Sequence, residues 1–445
     1  MRTTMKKWIK ISVTAIVVLL GIGLSVGYTQ IFPKVYNRLE TPEASPQVLG
    51  AIEFDPNPVL SVDEWEARRK PLLQQAFSEH IYGPPPPDHP VIVLKTEALN
   101  GKKLGRNLTV EQISLGIGDK SEFGQMRLVL VLPKDKPVRG LIIMQNFCGN
   151  VIATRSQLPE VSSVAKPPEM CGSLMGQAAK IILGNYINAP PFERITQKGY
   201  GIAMVYTGDL VPDSRALSGP ALAKLFDDKV PGVSLGALSA WAFMYDKISE
   251  ALRHDPKWQS QLSKAKMIAW GHSRNGKAAL LAGARYSRID IVIAHQSGRG
   301  GSSLNRSDIG ESIVQITNNY GYWFNSRFAD YAGQADKLPI DQHMLIALNA
   351  PNPVLITTGN RDLWSDPASS VRALEGASPV YELYGQKGFK ADKLNNSDFS
   401  APLAFAMRPG PHGVRTIDWT MFLEFLDKHC PEIATLKTNN VLLVQ

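Results

Sequence analysis

Apolar residues along this chain gather into short runs of strand length that alternate with stretches of helical spacing. From Trp65 to Ile81 the spacing predicts a helix, which stops before Gly83-Pro-Pro-Pro-Pro87, a stiff extended spacer. Three β-like runs follow: Val91–Thr96, Leu108–Leu115 and Met126–Leu132. Gly140–Gln145 and Gly201–Tyr206 open a series of alternating strand and helix units, continued by a helix over Leu238–Leu252 and a short strand over Met267–Trp270. Ile289–Ala294 and Pro353–Thr358 read as buried strands, and Val380–Tyr384 and Leu403–Met407 as further strand candidates. Ile417–His429 closes the pattern as an amphipathic helix. This alternation predicts an α/β fold whose sheet is mostly parallel and covered on both faces. No internal repeat is visible.

The first residues follow a different pattern. Arg2, Lys6, Lys7 and Lys10 precede a largely apolar, uncharged run from Ile11 to Val26. Ser25-Val26-Gly27 is a passable small-x-small cleavage site, so residues 1–28 can be a removed signal peptide. The run is also nearly long enough to span a bilayer, which would make it a retained anchor and give membrane association through residues 11–26. Either reading puts the rest of the chain outside the cytoplasm, periplasmic or secreted. Residues 29–58 carry Pro33, Pro42, Pro46, Pro56 and Pro58 and are expected to be a linker. Residues 59–445 are expected to form the main α/β domain.

A hydrophobic content of 44% over 445 residues, with 20% charged residues, describes a globular chain with a large core. Lys+Arg 48 against Asp+Glu 40 gives a net charge of +8, but the basic residues are dispersed and no run interleaves them with aromatics. Nucleic acid is therefore not an expected partner. The mild positive bias suits acidic substrates or anionic surfaces. Of three cysteines, Cys148 and Cys171 flank one loop region and can bridge in an oxidising compartment, while Cys430 ends the last helical pattern. No Cys-x-x-Cys or His-x-x-x-His spacing occurs, so no metal site is expected.

The chemistry gathers around Lys266–Ala284, where an apolar strand reaches Gly271 and the pattern changes at once to helical spacing. Ser273 then sits at a sharp strand-to-helix turn, the logic of a nucleophile elbow. The strict G-x-S-x-G pattern is not met, because Asn275 precedes the second glycine, Gly276. The plain alternative is a serine N-cap. Arg274 and Lys277 fall in the first helical turn, where the macrodipole disfavours cations by a few tenths of a kcal/mol to about 1 kcal/mol. They make sense if a strongly polar or anionic group is held beside Ser273; otherwise both side chains snorkel into solvent.

A serine nucleophile needs a base and an orienting acid. Four histidines follow Ser273: His295, His343, His412 and His429. His412 lies in Arg408-Pro-Gly-Pro-His-Gly413, a turn before the final helix that suits presenting one ring to a cleft. The alternative is a surface histidine. His295 ends a buried strand and His343 sits among helix formers, so structural roles suit both, and His429 ends a helix near its dipole. For the acid, Asp362 follows the strand Pro353–Thr358 by a short loop, whereas Asp366 before Pro367 has the signature of an N-cap followed by N1 proline. Asp362 is the candidate.

These residues resemble a known family. The chain is similar to the glucuronoyl esterases of carbohydrate esterase family fifteen, and to bacterial members in particular, from about Trp65 through His412. The likeness is carried by Gly271-His-Ser-Arg-Asn-Gly-Lys277, Gln296-Ser-Gly-Arg-Gly-Gly301, Gly310-Glu311, Tyr322-Trp-Phe324, Leu338-Pro-Ile-Asp-Gln-His343, Asp362-Leu-Trp364 and Pro411-His-Gly413. It implies an α/β-hydrolase, a three-layer sandwich that hydrolyses 4-O-methyl-glucuronoyl esters of glucuronoxylan, including lignin-carbohydrate esters, without metal or organic cofactor. By that likeness Ser273 is nucleophile, His412 base, Asp362 acid and Arg274 an aid to the oxyanion, while Lys277, Glu311 and Trp364 grip the sugar.

Two departures stand out. Many family members carry the acid as Glu at the end of the strand after the elbow helix, where this chain has Gln296; some bacterial relatives carry it on the later loop, where this chain has Asp362. His272 and Arg299 stand where fungal relatives have a pair of cysteines. The rival readings are a general carboxylesterase or acetyl esterase on the same fold, and a catalytically weak carbohydrate-binding relative, the latter prompted by Gln296.

Overall fold

Nine strands form one sheet: β1 (Val91–Leu99), β2 (Leu108–Ile117), β3 (Gly124–Pro133), β4 (Gly140–Asn146), β5 (Tyr200–Tyr206), β6 (Lys266–His272), β7 (Ile291–His295), β8 (Val354–Gly359) and β9 (Leu403–Arg408). Their spatial order is β1-β2-β3-β5-β4-β6-β7-β8-β9. The computed structural model describes residues 43–134, 136–173, 183–227, 235–390 and 398–431. The pairings β1-β2, β2-β3 and β3-β5 are antiparallel. Every pairing from β5 through β4 to β9 is parallel. The sheet is thus mixed, with a parallel block carrying the later strands.

Side chains alternate across a strand, so each parallel strand feeds two cores. In β4, Leu141 and Ile143 join the core on one face and Ile142 and Met144 the other; in β6, Met267 and Ala269 oppose Ile268 and Trp270. This is why these strands are apolar throughout rather than alternating in polarity. Five helices matter below: α1 (Phe192–Gln197), α2 (Ala237–His254), α3 (Arg274–Arg285), α4 (Pro367–Leu383) and α5 (Thr416–His429). Buried side chains of α2, α3 and α4 pack in the first core and those of α1 and α5 in the second, giving helices on both faces of the sheet.

Two expectations need correction. Val380–Tyr384 is not a strand: Val380 and Tyr381 are buried in the last turns of α4. A five-residue stretch with four apolar or aromatic positions fits either period, and here the helix begun at the Asp366 N-cap and Pro367 simply continues, even across Pro379. The described part of the expected linker is not a free spacer either. Ala44, Val48 and Ile52 are buried in the first core. Arg69, fully buried, explains the arrangement: its guanidinium bonds Asp55 Oδ2 at 2.7 Å and donates to the carbonyls of Val48 at 2.6 Å and of Gly50 and Asn57 at 2.9 Å each. The proline-rich sequence becomes a wrap around one cation.

Cys148 and Cys171 are joined in a disulfide, with Cα atoms 5.5 Å apart. Cys430 caps the end of α5 as a buried free thiol. The export or anchor reading of residues 1–28 lies outside the described residues; among those described, no helix is long and apolar enough to cross a membrane.

Candidate active site

The loops that leave the carboxyl ends of the parallel strands meet along one rim, the place where open α/β sheets present their chemistry. β6 ends at His272 and α3 begins at Arg274, leaving Ser273 alone in the turn at φ 56° and ψ −126°. A non-glycine residue there is strained by about 1–3 kcal/mol, and the surroundings hold it in place. Its N–H donates to His295 O at 2.9 Å, and its carbonyl accepts the Gly276 N–H at 2.9 Å. The glycines permit the tight crossing: a Cβ on Gly271 would lie 2.0 Å from Asn275 O, and one on Gly276 would lie 3.0 Å from Gly271 O. Ser273 does not act as a side-chain N-cap, so the plain reading of this serine fails.

His412 and Asp362 come together from two later loops. His412 Nδ1 lies 2.8 Å from Asp362 Oδ2, so the ring donates to the carboxylate through Nδ1 and its Nε2 is left to exchange a proton. Asp362 is buried, which works to raise its pKa; the charge and hydrogen bond of His412, with two bonds at Ser365, overcome this and hold the carboxyl below its usual range. Asp362 Oδ1 also accepts the Ser365 N–H at 3.3 Å. Asp366 takes the structural role expected of it, capping α4 by accepting the Ser369 N–H at 3.2 Å.

The imidazole sits on a braced loop. Gly413 N–H donates to Gln296 Oε1 at 2.7 Å, and Gln296 Nε2 donates to Pro411 O at 3.3 Å, so one amide grips the backbone on both sides of His412. Arg408 adds bonds to Pro411 O at 2.8 Å and Gly413 O at 2.7 Å. The His412 ring packs 4.5 Å from that of His272, the neighbour of Ser273. His272 is kept neutral, its pKa driven well below the ordinary value by burial and then by nearby cationic and imidazole groups. No hydrogen bond joins Ser273 to His412 among the described residues; in free enzymes such bonds are often open and tighten only with substrate.

Neither elbow cation snorkels. Lys277 is 4% exposed, and its ammonium donates to Ser297 O at 2.6 Å and Arg299 O at 2.5 Å. Burial brings its pKa down to about 8, with Arg299 and Arg274 acting the same way against Glu311 and Asp362. Arg274 places Nε 2.7 Å from Asp213 Oδ2, and its guanidinium lies over the rings of Phe147 at 4.7 Å and Trp323 at 5.5 Å. Glu311 is buried, which raises its pKa despite Lys277 and Arg299 nearby. Its N–H donates to Trp364 O at 3.1 Å, which joins the two expected sugar contacts; Trp364 itself stands 50% exposed. Arg299 organises the same loop by donating to the carbonyls of Glu311 at 2.6 Å, Ser307 at 2.7 Å and Ile309 at 3.0 Å.

The other histidines are structural. His295 bonds Thr357 Oγ1 at 2.7 Å and Gly413 O at 2.9 Å, and burial drives its pKa down to about 4. His343 bonds Pro46 O at 2.8 Å and His429 bonds Phe399 O at 3.0 Å. Two groups escape a reading of the sequence. Asp213 lies in no motif, and only its position after β5, beside the strand that leads to Phe147, could have flagged it. Gln296 reads as a lost acid, whereas its amide braces the histidine loop.

Comparison with known proteins points one way. Residues 223–385 match the family model described as glucuronyl esterase, fungi. The chain is 33% identical over 385 residues to carbohydrate esterase MZ0003 from an unknown prokaryotic organism, covering 85% of this chain and 88% of that one. It is 32% identical over 193 residues to 4-O-methyl-glucuronoyl methylesterase 1 of Wolfiporia cocos, a match that covers 42% of this chain and 47% of that relative, less than half of either. Among solved structures, a promiscuous CE15 esterase from a marine bacterial metagenome superposes with a TM-score of 0.72 at 29% identity, covering 88% of this chain and 98% of the other.

Proposed function

Because the chain belongs to carbohydrate esterase family fifteen, the glucuronoyl esterases, we propose that it is a serine esterase acting on 4-O-methyl-glucuronoyl esters of glucuronoxylan. The observation that carries this reading is the His412–Asp362 pair, which holds a proton-accepting ring on the same rim as the elbow serine and a guanidinium. His412 Nε2 takes the Ser273 proton as Oγ attacks the ester carbonyl. The oxyanion is met by the N–H of Arg274 and by its guanidinium; one such donor typically contributes about 2.7–4 kcal/mol. The tetrahedral centre collapses, the alcohol leaves with the proton from His412, and an acyl-serine remains. Water then gives a proton to His412 and attacks the acyl carbon; as the second tetrahedral centre collapses, His412 returns the proton to Ser273 Oγ and the uronate is released.

Recognition falls to the neighbouring polar groups. Lys277 uses two of its three N–H bonds on backbone carbonyls and keeps one for a sugar hydroxyl, which Glu311 can accept from in turn. Trp364 offers an apolar face to the ring. The Cys148–Cys171 disulfide fits an oxidising compartment and supports export.

The test is initial-rate hydrolysis of methyl and benzyl glucuronate beside acetylated xylan. Turnover of the uronate esters that Ser273→Ala abolishes in a folded protein, together with phosphonate labelling of Ser273, supports the reading. Comparable turnover of acetyl esters favours a general esterase, and saccharide binding without turnover or labelling favours a carbohydrate-binding relative.

A further inference from the structure

We propose that Asp213 is the positioning residue for the Arg274 guanidinium and so sets the oxyanion contribution of the reaction proposed above, on which this inference rests. Both carboxylate oxygens are committed. Oδ2 is ion-paired with Arg274, 2.7 Å from its Nε, while Oδ1 accepts Tyr322 OH at 2.7 Å and Trp323 Nε1 at 2.8 Å. The two neutral donors fix the carboxylate, and the carboxylate fixes the arginine.

The consequence lies in which nitrogens remain. An arginine carries five N–H donors in a rigid planar fork. The carboxylate makes its closest approach at Nε, so the ion pair does not spend the two terminal NH2 groups as a bidentate grip would spend one of them. The guanidinium face is engaged as well, because it lies over the rings of Phe147 at 4.7 Å and Trp323 at 5.5 Å. Trp323 is itself stacked on Tyr320 with centroids 4.0 Å apart and an interplanar angle of 7°. Arg215, two residues beyond Asp213, donates to Asn318 O at 2.6 Å and Asn319 O at 3.1 Å, clipping the Asp213 loop to the segment that leads to Tyr322 and Trp323. An untethered arginine has rotamer entropy to lose each time it meets a developing charge. Here much of that freedom is removed before substrate arrives, the preorganisation that oxyanion stabilisation needs.

The experiment is a double-mutant cycle on methyl glucuronate ester. Asp213→Asn keeps an oxygen for Tyr322 and Trp323 but removes the charge that holds Nε. It is expected to lower kcat by about tenfold to a hundredfold, with KM changed far less. In an Arg274→Ala background the same change should add nothing further. Tyr322→Phe, which frees Oδ1 in part and spares the charge, should give a smaller loss with the same non-additivity, and serves if the asparagine variant does not fold. An equal loss from Asp213→Asn with and without Arg274, or an unchanged kcat in a folded variant, overturns the proposal. The NMR signal of Arg274 Nε–H reads the tether without turnover: it should move in Asp213→Asn, and an unmoved signal also overturns the proposal. Absence of ester turnover in the parent chain with that signal intact counts against the ester reading alone.

Discussion

Gln296 Oε1 accepts the Gly413 N–H at 2.7 Å, one residue beyond the imidazole of His412. The same side chain donates to Pro411 O through Nε2 at 3.3 Å, so it needs one acceptor and one donor at its tip. A carboxylate cannot supply the donor. Gln296→Glu is therefore expected to reduce kcat/KM by about tenfold, because it sets a negative oxygen against a buried carbonyl. Rates on benzyl glucuronate measure this. A gain in turnover would mark position 296 as a weakened acid site instead.

Asp362 is expected to be the acid that matters. In Asp362→Asn the amide holds His412 in the wrong tautomer, a change that costs about 10⁴ in turnover in serine proteases. Gln296→Ala should be far milder, since Arg408 still bonds both Pro411 O and Gly413 O. Comparing kcat for the two variants decides the matter; the opposite ranking would move the acid role away from residue 362.

The alkaline limb of the pH profile should report Lys277. Burial lowers its pKa to about 8, and the Glu311 charge is the main influence working to raise it. Above that pH the ammonium loses a proton and with it a donor, so kcat/KM should fall. Removing the Glu311 charge takes away support for the protonated form. In Glu311→Gln the residual activity should therefore fall at a lower pH than in the parent. A limb that stays in place, or moves upward, would show that another group titrates there.

Stability should depend on Arg69 far more than on its neighbour Arg68, although both pair with Asp55. Arg69→Met strands a buried carboxylate and several buried carbonyls and is expected to cost about 3–5 kcal/mol. Arg68→Ala, at a partly exposed pair, should cost within about 1 kcal/mol. Urea unfolding of the two variants gives the comparison; equal midpoints would mean that the wrap over residues 43–59 contributes little.

The strands of the parallel block were readable because burial on both faces forces continuous apolar runs, as in Ile142–Met144 and Met267–Trp270. Val380–Tyr384 was misread for the same reason: a short apolar stretch carries no period of its own, and only the distant cap at Asp366 makes it helical. The site divides likewise. Ser273, Asp362 and His412 announce themselves through turn chemistry, with glycine or proline close by. Asp213 does not, because its importance comes from three partners that lie far away in the chain, Arg274, Tyr322 and Trp323. Residues 43–58 misled by their prolines, which the buried Arg69 turns from spacer into packing.

The bridge between Cys148 and Cys171 begins one residue after Phe147, whose ring lies against the Arg274 guanidinium. The choice of expression host therefore reaches the reaction centre. Material folded in a reducing cytosol lacks the clasp beside that ring, and its specific activity should recover when an oxidising thiol buffer is supplied during refolding.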